Sequence, residues 1–128
     1  MRVVLGVGAH SRVGAGDLDR AAAAALEAAG LAPADVAAVA TLDRRAALIG
    51  PWAAGRGWPL VTFAPDDLAA VATPNPSAVV LARAGVASVA EAAALRAAGP
   101  GASLLLAKTV VGGVTVALSA RTPPDAPR

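Results

Sequence analysis

Cysteine is absent from this 128-residue chain, and with it go disulfides, thiolate metal sites and thiol nucleophiles. That composition fits a reducing compartment, and the cytoplasm is the expected location. Aromatic residues are nearly missing too, with no tyrosine, one phenylalanine and two tryptophans. There is therefore no set of rings on which nucleobases could stack. No excess of charge of one sign exists either, because 11 basic residues face 9 acidic ones, for a formal net charge of +2. Such a balance does not make the dense basic face that nucleic acid requires, and no nucleic-acid partner is expected. No uncharged apolar run reaches the ~18 residues that cross a bilayer, so no membrane partner is expected. A single histidine and no cysteine offer no metal-ligand pattern, and neither a metal nor a cofactor is expected.

What is present is alanine. Residues counted as hydrophobic make up 56% of the chain, yet many of these side chains are a single methyl group. The core must then rest on many modest Val, Leu and Ala contacts rather than a few large anchors. Small side chains also let helices lie close against a sheet. A chain of this length buries roughly two-thirds of its unfolded surface, enough for one domain.

The pattern along the chain alternates strands with helices. Arg2–Val7 is an apolar, valine-rich run that reads as a buried strand rather than as a signal peptide, since glycines follow and a helix begins soon after. Asp17 stands as N-cap of an alanine-rich helix, Leu18–Ala29, which Gly30 stops. Val36–Leu42 is a second strand. A helix follows from Arg44 to Ala54, with Pro51 predicting a kink or early end. Pro59–Phe63 is a short strand, and Asp66 or Asp67 caps a brief helix to Val71. Thr73–Ser77, with two prolines, forms a rigid loop. Ser77 then caps a helix to Ala84, and Ser88 caps another, Val89–Ala98. Ser103–Lys108 and Val114–Ser119 are strands joined through Gly112-Gly113, a pair suited to a hairpin turn, which makes the last strand antiparallel.

Crossovers of this kind dictate a mostly parallel sheet covered on both faces. The expected class is α/β: a three-layer α/β/α sandwich with a mostly parallel five-stranded sheet and an antiparallel last strand at one edge. One domain is expected over 1–120, followed by a disordered proline-rich tail over 121–128.

Ligands of open α/β sheets bind beyond the carboxyl ends of the strands. There the sequence places Gly6, Gly8 and His10, in a glycine loop whose amides can approach an anion. The same residues also make an ordinary tight turn with no ligand, and the fingerprint of a dinucleotide site is incomplete because Ser11 replaces the third glycine. His10, the only histidine, is a candidate base without a carboxylate neighbour in sequence. Asp43, Arg44 and Arg45 follow the second strand. Two guanidiniums there suit carboxylates or phosphates, although a capped helix start with solvated charges explains them equally. Ser88 and Glu91 match the capping box, which accounts for both without a ligand. Lys108, the only lysine, is expected at the end of an apolar strand, shielded enough to favour an anion or else guarding a sheet edge.

Three segments together resemble a known family. The opening Gly-x-Gly loop is similar to its first motif. Thr41-Leu42-Asp43-Arg44-Arg45 with Gly50 resembles its second, where lysine is usual at the position of Arg45. Pro74-Asn75-Pro76-Ser77, Gly85, Ser88-Val89-Ala90-Glu91-Ala92-Ala93-Ala94-Leu95, Lys108 and Thr115-Val116-Ala117 resemble the C-terminal domain of CbiG and the stand-alone CobE proteins of cobalamin biosynthesis. The chain departs from the pattern at Ala9 and His10, which replace the usual Cys and Arg, and at Leu48, which replaces a common Glu.

That resemblance implies a place in vitamin B12 synthesis and a precorrin, or corrinoid, ligand rich in acetate and propionate groups. CbiG proteins open the δ-lactone of cobalt-precorrin-5A and release acetaldehyde. The expected ligand-binding residues are Gly6, Gly8, His10, Asp43, Arg45, Asn75, Ser77, Ser88, Glu91 and Lys108. The expected function is binding or helping to process an anionic corrinoid intermediate, alongside other enzymes of the pathway. One alternative is hydrolase activity, alone or with a partner protein, for which His10, Asp43 and Glu91 are the candidate catalytic groups. The other is a non-catalytic interaction module that uses the alanine-rich helix faces.

Overall fold

The computed structural model describes residues 2–69 and 89–121. Five strands lie in one sheet: β1 (Val3–Ala9), β2 (Val36–Leu42), β3 (Leu60–Phe63), β4 (Ala102–Val111) and β5 (Val114–Arg121). Among the described residues four α-helices accompany them, α1 (Ala15–Ala29), α2 (Ala46–Gly55), α3 (Pro65–Ala69) and α4 (Val89–Ala98). The sheet order is β3-β2-β1-β5-β4. β1, β2 and β3 are mutually parallel, whereas β5 runs antiparallel to both β1 and β4.

The α/β/α sandwich and its antiparallel last strand are as expected, but that strand is not at the edge. β5 is inserted beside β1, and β4 forms the rim of the sheet. The cause is visible in side-chain burial. Val114–Ser119 are all buried, while β4 alternates half-buried with exposed residues. The more continuously apolar strand of the hairpin takes the inner place, where both faces are covered.

β1 is buried along its whole length, as a central strand must be. Val3, Leu5, Val7 and Ala9 face a core shared with Leu18, Ala21 and Ala25 of α1 and with Ile49, Trp52 and Ala53 of α2. Val4, on the opposite face, joins Ala40 and Leu42 of β2 in a second core under Leu68 of α3 and Val89, Ala92 and Ala93 of α4. Gly6 lies beneath α4. A Cβ placed there would stand 1.9 Å from the Ala90 carbonyl oxygen and 2.9 Å from the Ala94 Cβ. The alanines of α4 and this glycine therefore set the distance between helix and sheet.

Two buried hydroxyls fasten the core, one within the sheet and one between sheet and helix. Thr41 Oγ1 donates to the Val7 carbonyl at 2.7 Å, and Ser119 Oγ donates to the Ala94 carbonyl at 2.6 Å, tying β5 to α4. On the other face the Trp52 indole N–H donates to Asp19 at 2.7 Å, and Arg56 pairs with the same carboxylate. The indole hydrogen bond first, then the guanidinium, holds the Asp19 carboxyl below the usual carboxylate range.

The helix starts differ from expectation in one consistent way. α1 begins at Ala15, and Asp17 is its third residue, accepting from the Gly14 N–H at 3.0 Å. Asp67 does the same at α3, where its carboxylate accepts from the Ala64 N–H at 3.3 Å. A carboxylate can satisfy a free amide from either position, and its identity alone does not say which. Gly30, at φ 71°, ends α1 as expected, with its own N–H bonded to the Glu27 carbonyl and that of Leu31 to Leu26. α2 continues through Pro51 to Gly55 instead of breaking. Ala47, whose carbonyl the missing N–H would have bonded, is exposed to water.

Gly112 and Gly113, at φ 55° and 85°, make the tight turn between β4 and β5 that their pairing foretold. Arg121 ends β5 rather than opening a tail. The expected helix from Ser77 to Ala84 and positions 122–128 lie outside the described residues. No helix among the described residues is long and apolar enough to cross a membrane.

Candidate functional site

The carboxyl ends of β1, β2 and β3 share one rim of the sheet because these strands are parallel. The β4–β5 turn reaches the same rim, since Ala9 pairs with Val114 and Val114 with Val111. Here the chain leaves β1 through His10 and leaves β2 through the turn Asp43–Arg45.

Arg45 is half-buried, and its Nε donates to the Ala9 carbonyl at 2.6 Å. The side chain is thereby held against the end of β1, and its terminal nitrogens make no hydrogen bond among the described residues. His10 and Arg12, after β1, and Arg44, after β2, are exposed. Asp43 is exposed too, and no side chain caps the start of α2. Further along the rim, past β3, the charge reverses at the exposed Asp66 and Asp67. The basic half of the rim thus belongs to β1 and β2.

His10 is oriented by its own loop. Its Nδ1 accepts from the Arg12 N–H at 3.1 Å, so in the neutral ring the proton sits on Nε2. The ring also packs close to the hairpin, with Nε2 lying 3.1 Å from where a Cβ of Gly113 would be. None of the described carboxylates hydrogen-bonds to His10. It is a donor at the rim and lacks the orienting acid that a general base normally has.

Glu91 lies in the first turn of α4, and its expected capping partner Ser88 is outside the described residues. Glu91 is 0% exposed, and its Oε2 accepts from the Lys108 backbone N–H at 3.0 Å. The register explains why that amide needs a partner. Leu106 pairs with Leu118 but Thr109 pairs with Val116, so β4 carries one extra residue at this point. Such a bulge takes a residue out of the ladder, and the buried carboxylate meets its N–H. Glu91 therefore joins the first turn of α4 to the edge strand.

The structure gathers some of the sequence-predicted residues and separates others. Arg45, His10 and Asp43 lie along the same rim. Gly6 and Gly8 do not form a loop there; both are buried within β1, where Gly6 makes room for α4 and Gly8 pairs with Thr115. Continuous burial of the strand on both faces extends it two residues past the expected end. Lys108 lies inside β4 rather than at its end, and it is the backbone amide that bonds to Glu91. Two strand spacings separate β4 from β1, about 10 Å, so Lys108 does not adjoin Arg45 along the shortest path. Asn75, Ser77 and Ser88 lie outside the described residues. Among the described residues, no group of three or more His, Asp or Glu could hold a metal ion.

Sequence reasoning missed Thr41 and Ser119 as fastenings, and it missed the cluster of Asp19, Trp52, Arg56 and Trp58. The cluster joins residues up to 37 positions apart, and nothing in the local pattern marks it.

The family profile described as Cobalamin synthesis G C-terminus matches residues 3–119. Among solved structures the chain is similar to CobE, a protein from the cobalamin (vitamin B12) biosynthetic pathway, with 31% identity and a TM-score of 0.76 over 92% of this chain and 89% of that one. It is also similar to cobalamin biosynthesis protein chiG from Agrobacterium tumefaciens strain C58, with 33% identity and a TM-score of 0.73 over 94% and 99% of the two chains. A cobalamin biosynthesis protein G homolog from Sulfolobus solfataricus shares the fold at 16% identity and a TM-score of 0.72, over 95% of this chain and 37% of that one. A search of curated proteins finds no match.

Proposed function

The chain belongs to the family of the cobalamin synthesis G C-terminus and is a cobalamin biosynthesis protein; on that premise we propose that it binds an anionic corrinoid intermediate at the basic half of the sheet rim. The observation that carries this reading is Arg45. Its Nε is anchored on the Ala9 carbonyl, so the rest of the guanidinium is ordered before a ligand arrives. Preorganised guanidiniums suit carboxylates, which they bind through paired hydrogen bonds. Corrin precursors carry several acetate and propionate groups. Arg12, just past the end of β1, and Arg44, just past the end of β2, are exposed and can meet further carboxylates.

The condition of the candidate bases supports binding over hydrolysis by this chain alone. Glu91 is fully buried and bonded to a backbone amide, no described carboxylate hydrogen-bonds to His10, and the exposed Asp43 side chain makes no hydrogen bond among the described residues that would orient it. Lactone opening needs a base within reach of a water molecule. Under this reading such a base comes from a partner protein, with this domain presenting the substrate.

Titration of the chain with cobyrinic acid, followed by the corrin absorbance, tests the proposal. Saturable binding is expected. Arg45→Ala should weaken it by about tenfold or more, the loss of one hydrogen-bonded charge. Thermal unfolding of the variant in parallel separates lost contacts from lost fold. No binding at millimolar ligand, or full affinity in a folded Arg45→Ala variant, rejects the assignment.

A further inference from the structure

The opposite rim of the sheet, at the amino ends of the parallel strands, holds a groove of about 430 Å³. Arg2 precedes β1, Pro33 and Ala34 lead into β2, and Arg56 and Trp58 lead into β3; all of these line the groove. No acidic residue is among its lining residues, whereas two of them are arginines. The volume falls within the range of small-molecule sites.

Both guanidiniums are held in place by contacts that leave donors over. Arg2 Nη1 donates to the Ala34 carbonyl at 3.2 Å, a neutral partner that does not cancel its charge. Arg56 lies over the Trp58 ring, 5.8 Å from its centroid, and its Nη2 pairs with Asp19, which is not part of the groove wall. Each guanidinium has five N–H donors, and these contacts engage one apiece. The wall beneath is stiff. Trp58 donates its indole N–H to the Pro33 carbonyl at 3.2 Å and packs edge-on against Trp52, with ring centroids 5.6 Å apart at 78°.

We infer that this groove is a second anion site, taking a small multivalent oxyanion such as a diphosphate or a polycarboxylate between Arg2 and Arg56. One anionic group meets each guanidinium, and Asp19 keeps Arg56 from swinging away. The site is independent of the corrinoid reading, because it stands at the other end of the strands.

The test is a titration of the ¹⁵N-labelled full chain followed by amide and indole resonances. The probes are inorganic pyrophosphate and citrate, which separate phosphate from carboxylate sources, with acetate as the monovalent control. Either multivalent anion should move the Trp58 indole and Gly57 amide signals saturably, and acetate should not. Arg2→Gln, at an exposed position, should weaken that response by about tenfold, and Arg56→Gln should do likewise. Absence of saturation with both anions at millimolar concentration overturns the inference. So does an unchanged response in both variants, or a response confined to His10 and Arg45 at the far rim.

Discussion

At the scale of single residues, the informative side chain is Glu91. A carboxylate with no exposed surface is costly unless its lone pairs are met. Here one oxygen accepts the amide that a bulge in β4 leaves out of the ladder. Glu91→Ala strands that N–H and should cost about 1–3 kcal/mol in urea unfolding. Glu91→Gln keeps an oxygen acceptor and should recover most of the loss. Equal instability of the two variants would show that the charge, not the hydrogen bond, is what the site requires. The spacing of Ser88 and Glu91 pointed to a helix start, and Glu91 does stand in the first turn of α4. One of its partners lies 17 positions further on, at a bulge that leaves no mark in composition. Arg45 was legible as a rim residue because it follows an apolar run. Its bond to Ala9, 36 positions away, depends on the strand pairing and was not legible.

At the scale of elements, β1 and α4 form the contact on which the rest is assembled. β1 is the middle strand of the five, and α4 packs over it. Gly6 is the point of closest approach, with the Ala90 backbone where a Cβ would go. A backbone carbonyl cannot rotate aside as a side chain can, so Gly6→Ala must push the helix off the sheet. The expected loss is at least about 3 kcal/mol, at the upper end for overpacked cores. Denaturation at unchanged or raised midpoint would refute the close packing of α4. Local patterns disclosed these elements well where an apolar run or a helix ends at a clear polar or glycine boundary. β2, the end of α1 and the Gly112-Gly113 turn fall where the residues put them. The glycines of β1 were misread because glycine serves both turns and close packing, and only the neighbouring helix decides between them.

At the scale of the whole molecule, the sheet gives the domain two chemically different ends. Alternation of strand and helix foretold the layers and the parallel sheet. It did not foretell that the final hairpin folds back with β5 inside and β4 outside, because that choice compares burial of two strands across the completed sheet. The result brings the hairpin turn next to His10, while β1 and β2 deliver the arginines. Carboxyl-end binding is the rule for open parallel sheets, and the proposed corrinoid site follows it, at the basic half of that rim.

Chemical-shift mapping of the labelled chain with cobyrinic acid examines that placement directly. Saturable shifts should fall on the amides of His10, Arg12 and the Asp43–Arg45 turn at ligand concentrations below any that move Gly57 and the Trp58 indole at the other rim. A tight complex whose shifts avoid Arg45 and its neighbours would contradict it.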